Sequence, residues 1–111
     1  MELSLYIKDK LVSGKRVAIP IMTHPGIELL GKRVLDAVTS GEIHYHAIRV
    51  LNECFPQSAA CTTIMDLTVE AEAFGARLSM SPNEVPSVCG RLLTGYADVE
   101  ALQIPSVESG R

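Results

Sequence analysis

Apolar residues in the first half of the chain recur at helical spacing. Near the N-terminus they recur every fourth residue, which predicts a helix that ends before Gly14. A second helix is predicted over residues 28–38. The clearest pattern follows Ser40 and stops before Pro56, because proline cannot continue a helix. Its apolar face is formed by Ile43, Ala47, Val50, Leu51 and Cys54.

Short apolar runs predict three buried strands, at residues 16–22, 59–65 and 76–80. Pro20 places the first strand at a sheet edge or near a strand end, since proline donates no ladder hydrogen bond. Short helices are predicted over residues 69–74 and 98–102. Strands that alternate with helices in this order are typical of an α/β protein with right-handed crossovers and a parallel sheet.

Composition narrows the class of protein. The 111 residues carry a net charge of -3 and are 47% hydrophobic, which argues against a disordered tail. This charge argues against a nucleic-acid partner or a basic membrane-binding patch. No apolar run approaches the roughly 18 residues of a membrane span. Three cysteines without paired spacing favour a reducing compartment, so we expect a cytoplasmic protein.

Two polar residues lie directly after predicted strands. His24 follows the first strand and Asp66 follows the second. In parallel α/β folds, ligands bind at this edge of the sheet. Asp66 is therefore the candidate catalytic residue and His24 the candidate substrate-binding residue, because a carboxylate orients substrate and an imidazole moves protons. The alternative is that Asp66 caps the next helix and His24 is only a turn residue.

The metal-binding residue types are poorly arranged for a metal site. His44 and His46 would point about 200° apart on a helix, which prevents joint chelation. The three cysteines contain no C-x-x-C pair. We therefore predict no metal site among residues 1–111.

Three segments carry a family resemblance: residues 16–22 (RVAIPIM), 65–75 (MDLTVEAEAFG) and 102–111 (LQIPSVESGR). With them the chain resembles the N-terminal part of the uroporphyrinogen decarboxylase superfamily. That superfamily includes decarboxylases of haem biosynthesis and cobalamin-dependent methyltransferases acting on coenzyme M and similar thiols. The resemblance implies a (β/α)8 TIM barrel of about 250 residues. Residues 1–111 would form one partial barrel segment, with a leading helix and about three βα units.

The resemblance also implies roles for residues. Asp66 falls where the decarboxylases keep an aspartate thought to hold pyrrole N–H groups of a tetrapyrrole. Their loop after the first strand is rich in arginine, whereas residues 22–26 here read MTHPG, and the next arginine is Arg33. This difference favours the methyltransferase-like branch. Zinc, methylcobalamin and a corrinoid protein partner are implied only for a full-length protein, because the family's His and Cys ligands lie beyond Arg111.

Three functions stay open at this point. The first is the N-terminal segment of a methylcobalamin:thiol methyltransferase, and the second is a uroporphyrinogen decarboxylase proper; each would act on a small-molecule substrate. The third is a non-catalytic α/β assembly or binding module. We expect these 111 residues alone to be inactive and to form homo-oligomers, since a slice of a barrel exposes strand edges and apolar surface.

Overall fold

A computed structural model describes residues 2–14, 16–107 and 111. These residues form six helices and two short strands. The helices are α1 (Leu3–Val12), α2 (Thr23–Leu29), α3 (Val34–Thr39), α4 (Gly41–Cys54), α5 (Val69–Ala73) and α6 (Tyr96–Ala101). The strands are β1 (Arg77–Ser79) and β2 (Ser87–Cys89).

The buried core lies among α2, α3 and α4. Its apolar residues are Ile27, Val34, Ala37, Ala47 and Leu51. The spacing of Ala47 and Leu51 confirms the predicted apolar face of α4, although Cys54 at its end is exposed. α2 packs directly on α4. The two helices are so close that a Cβ atom at Gly26 would collide with the carbonyl oxygen of Ala47.

The helix predicted over residues 28–38 is wrong as a single element. The structure has two helices there, α2 and α3, separated at Gly31, which has a φ of 63°. This left-handed conformation ends α2, and glycine adopts it at little steric cost because it has no Cβ atom. The α3 helix then begins after Arg33, whose N–H donates to Asp36 Oδ2 at 2.9 Å.

Residues 16–22 and 59–65 contain no strand, where the sequence predicted two. The two segments nevertheless lie side by side. Ala59 N–H donates to Ala18 O at 2.9 Å, and Thr23 Oγ1 donates to Thr62 O at 2.8 Å. These contacts advance in the same direction along both segments, so the segments run parallel. Pro20 has no N–H to donate, which removes one donor from any ladder here.

The third predicted strand is present as β1, but its partner was not predicted. β1 pairs with β2 in an antiparallel hairpin, with Leu78 opposite Val88. The strand–helix alternation predicted a parallel sheet, and the sheet formed by the described residues is antiparallel. Residues 80–86 reverse the chain, and a short reversal of this kind allows only antiparallel pairing. Membership of a TIM barrel remains a prediction.

The described part of the chain is elongated. Its principal extents are 56 × 34 × 22 Å and its radius of gyration is 18.2 Å. The α1 helix contributes no buried residue. Among the described residues, no helix combines the length and apolar character needed to cross a membrane.

Candidate functional site

Asp66 lies at the junction between the 59–65 segment and α5, and both of its carboxylate oxygens accept hydrogen bonds. Oδ1 accepts from Thr68 N–H at 2.9 Å and from Thr68 Oγ1 at 2.6 Å. Oδ2 accepts from Arg111 Nη1 at 2.8 Å. Since Thr68 is the residue before α5, Asp66 also shapes the start of that helix.

Arg111 joins two carboxylates. Its Nε donates to Glu72 Oε2 at 2.7 Å, while Nη1 donates to Asp66. Its Nη2 donates to Thr68 Oγ1 at 3.0 Å. The side chains of Arg111 and Asp66 are only 13% and 7% exposed, so this ion pair is largely shielded from water. We call Asp66, Thr68, Glu72 and Arg111 the acid–arginine cluster.

The cluster holds Asp66 in its ionised form. Burial is the largest single influence and would raise the pKa of Asp66, because it disfavours the charged carboxylate. Hydrogen bonds from Thr68 and the attraction of Arg111 together outweigh burial, so the pKa lies below its ordinary value. Burial likewise would lower the pKa of Arg111, but its bonds to Glu72 and Asp66 raise it overall.

Asp66 and Arg111 line a cavity of about 340 Å³ between α3, α4 and the 59–65 segment. The polar side chains of its wall belong to Thr39, Ser40, His44, Thr63, Asp66 and Arg111. We call it the Asp66 cavity. Its wall offers a carboxylate, a guanidinium, an imidazole and hydroxyl groups beside apolar side chains, a combination that suits a small molecule carrying polar groups.

His24 does not join this site. It lies exposed in the first turn of α2 and is not part of the wall of the Asp66 cavity. Its neighbour Thr23 is buried, and the Thr23 hydroxyl donates to Thr62 O. The structure therefore brings Asp66 together with His44 at one cavity, whereas His24 lies outside its wall.

The residues do not form a metal centre. Across residues 2–14, 16–107 and 111, no three His, Cys, Asp or Glu side chains are grouped so that they could hold an ion. His44 Nε2 accepts from Ile64 N–H at 3.0 Å, whereas His46 is half exposed and lies 4.0 Å from Glu42. The zinc implied by the resemblance therefore has no fitting ligand set in the described residues.

Sequence reasoning missed several members of the site. Arg111 is 45 positions from Asp66 along the chain, and no local pattern connects them. His44 did carry a signal, since it lies three and seven positions before the buried Ala47 and Leu51 and thus on the core-facing side of α4.

Comparison of the chain with known protein families, with curated proteins and with solved structures found no match. The assignment to a superfamily consequently rests on the three sequence segments alone. The geometry of the Asp66 cavity has to support any function proposed for the chain.

Proposed function

We propose that the chain is the N-terminal barrel segment of a cytoplasmic enzyme similar to the uroporphyrinogen decarboxylase superfamily, and that it belongs to the methyltransferase-like branch. In this proposal the Asp66 cavity is part of the substrate cleft. The observation that carries the proposal is an ionised, shielded Asp66 in the wall of a cavity at the end of the 59–65 segment.

The arrangement of the 16–22 and 59–65 segments supports the same proposal. They lie side by side and run in the same direction, which is the relation that neighbouring strands of a barrel have. Asp66 directly follows the second segment, at the end where barrel enzymes place their catalytic residues.

Asp66 would bind and orient substrate rather than transfer a proton from its acid form. An ionised carboxylate accepts hydrogen bonds and stabilises positive charge, and it has no proton to donate. Oδ2 is held by Arg111, and a second lone pair on this oxygen is available for a substrate N–H or O–H group. The described residues provide no ligand set for a metal, so the role of Asp66 does not depend on zinc.

The test begins with the gene. We expect the reading frame to continue past the codon for Arg111 through the remaining βα units of a barrel. The protein encoded by the whole frame is then assayed for methyl transfer from methylcobalamin to coenzyme M. The change in cobalamin absorbance measures the rate. Asp66→Asn should reduce turnover about a hundredfold, the effect typical for misplacement of a bound substrate.

Asp9→Asn on the exposed face of α1 is the matched control and should leave turnover unchanged. Wild-type turnover in Asp66→Asn would overturn the role of Asp66. Decarboxylation of uroporphyrinogen without methyl transfer would instead establish the decarboxylase alternative. A stop codon directly after Arg111 would rule out a barrel made by this chain alone.

A second candidate function, a non-catalytic assembly module, is favoured by a different observation. Many large apolar side chains of the described residues are exposed, including Leu5, Leu11 and Val12 on α1. An apolar groove of about 420 Å³ also opens between α5 and β2, lined in part by Phe74, Val88 and Leu92. Such surfaces commonly mark contacts with another protein segment.

A further inference from the structure

His44 links α4 to the segment that leads into Asp66. Its side chain is on the half-buried face of α4, and Nε2 accepts a hydrogen bond from Ile64 N–H at 3.0 Å. The two residues are 20 positions apart, so this bond is a tertiary contact. Side chain to backbone bonds of this kind fix a loop to a helix.

The bond is coupled to Asp66 through Ile64. The carbonyl oxygen of Ile64 accepts from Asp66 N–H at 3.2 Å, while the Ile64 side chain packs against the core. Ile64 is therefore held on three sides: by His44, by Asp66 and by the core. If the His44 bond is lost, a half-buried backbone N–H is left without that partner, which costs free energy.

Only one form of the imidazole can make this bond. A neutral ring with its hydrogen on Nδ1 has a free lone pair on Nε2 and accepts from Ile64 N–H. The protonated ring carries hydrogens on both nitrogens and accepts nothing. Protonation therefore breaks the contact by removing the acceptor.

The charged groups nearest to His44 in the wall of the Asp66 cavity belong to the acid–arginine cluster. In the wall of the Asp66 cavity, α3 and the 59–65 segment contribute uncharged side chains, and the charged ones are Asp66 and Arg111. Glu72 also pairs with Arg111, so the acid–arginine cluster carries a net charge of minus one. Most other titratable groups on the packed helices are exposed: His24 and Glu28 on α2, and Glu42, Tyr45, His46, Arg49, Glu53 and Cys54 on α4. Asp36 on α3, which pairs with Arg33, and Cys61 are half-buried.

We propose that His44 is a pH-sensitive positioning residue that holds Ile64, and with it Asp66, against α4 while the imidazole is neutral and releases them when it is protonated. The Asp66 cavity is then ordered while the ring accepts from Ile64 and loosened once the ring is protonated. This device is independent of which reaction or ligand the cavity serves, so it stands or falls separately from the proposed methyltransferase function.

The experiment reads the hydrogen bond directly, by NMR on the isotope-labelled chain between about pH 5 and pH 8, the interval in which imidazoles change charge. Long-range ¹⁵N–¹H coupling in the His44 ring should show hydrogen on Nδ1 at the upper end. Exchange of the Ile64 amide, corrected for its intrinsic pH dependence, should lose about five- to tenfold in protection as the ring titrates.

Two variants separate positioning from simple packing. In His44→Gln, the amide oxygen can accept from Ile64 N–H but does not titrate, so protection of Ile64 should persist at both ends of the pH range. In His44→Leu, the acceptor is absent and protection should be low at every pH. His46→Gln, two residues further along α4, is the control and should behave like the wild type.

Three results would overturn the proposal. One is a ring with hydrogen on Nε2 at pH 8, which could not accept from Ile64. The second is Ile64 protection that stays constant while the His44 ring titrates. The third is the same pH-dependent loss of protection in His44→Gln, which would place the titrating group elsewhere.

Discussion

At the scale of single residues, Asp66 combines a structural and a candidate functional role. Its Oδ1 orders the turn before α5 through Thr68, and its Oδ2 pairs with Arg111. The sequence offered capping and catalysis as alternatives for this residue. The geometry shows the structural interactions of both oxygens, and substrate binding by Oδ2 is the proposal.

Replacement of Asp66 should lower the free energy of unfolding by an amount that depends on pH. Asp66→Asn removes a shielded charge pair with Arg111, and we expect a loss of about 1–3 kcal/mol in the free energy of unfolding at pH 7. The pKa of Asp66 is lowered by folding, so its stabilising contribution is complete above its unfolded value of about 4. The contribution is lost as the pH falls below that value through the folded pKa. The difference between wild type and Asp66→Asn should therefore shrink below about pH 4.

Urea denaturation at pH 7 and at successively lower pH measures this difference. Asp9→Asn serves as the control, since Asp9 is exposed on α1, and it should unfold like the wild type. An Asp66→Asn variant as stable as wild type at pH 7 would show that the ion pair contributes nothing to folding.

At the scale of elements, the contact between α2 and α4 organises the core. Gly26 lies directly over Ala47 and Leu51 of α4, and the absence of a side chain lets the two helices approach closely. α3 closes the same core with Val34 and Ala37. The packing therefore depends on small residues at the crossing, which explains how short helices can bury a common set of side chains.

We expect Gly26→Ala to destabilise the protein by about 1–3 kcal/mol, because the added methyl group overpacks the crossing against backbone atoms of α4. Gly41→Ala is the matched control. A Cβ atom at Gly41 meets nothing within 4 Å, so this change should stabilise α4 by less than about 1 kcal/mol. Circular dichroism during thermal unfolding gives the melting temperature of each variant. Equal melting temperatures for Gly26→Ala and Gly41→Ala would contradict the close crossing.

At the scale of the whole molecule, the described chain covers its apolar surface poorly. A compact chain of this length has a radius of gyration of about 13 Å, whereas the observed value is 18.2 Å. The α1 helix and the groove between α5 and β2 leave large apolar side chains exposed. Both the barrel proposal and the assembly proposal require another protein segment to cover these surfaces.

The 111-residue chain on its own should therefore associate. We expect sedimentation velocity at micromolar concentrations to show dimers or larger species. Leu92→Glu places a charge in the apolar groove and should shift the distribution toward monomer, whereas Asn52→Glu places the same charge on the exposed face of α4 and should not. A monomer that unfolds cooperatively at all concentrations would contradict this expectation and indicate a self-contained domain.

Local patterns were sufficient for the elements whose signals lie within one or two helical turns. The apolar spacing predicted α1 and α4, and the short helix before Gly75 is present as α5. These predictions succeeded because helical hydrogen bonds join residues four positions apart, so periodicity and end signals are read from neighbouring residues. The residue type and position of Asp66 likewise marked it as a candidate before any contact was known.

Contacts between residues far apart in the sequence could be identified only from the folded structure. The sequence predicted strands at residues 16–22 and 59–65, but a strand exists only when a partner completes its hydrogen bonds, and these segments share a single backbone bond. β1 formed because β2 was available to it. The pairing of Asp66 with Arg111 and of His44 with Ile64 depends on how the chain returns on itself, since these interactions span 45 and 20 residues. No local pattern encodes such a return, so tertiary packing determines the site that surrounds Asp66.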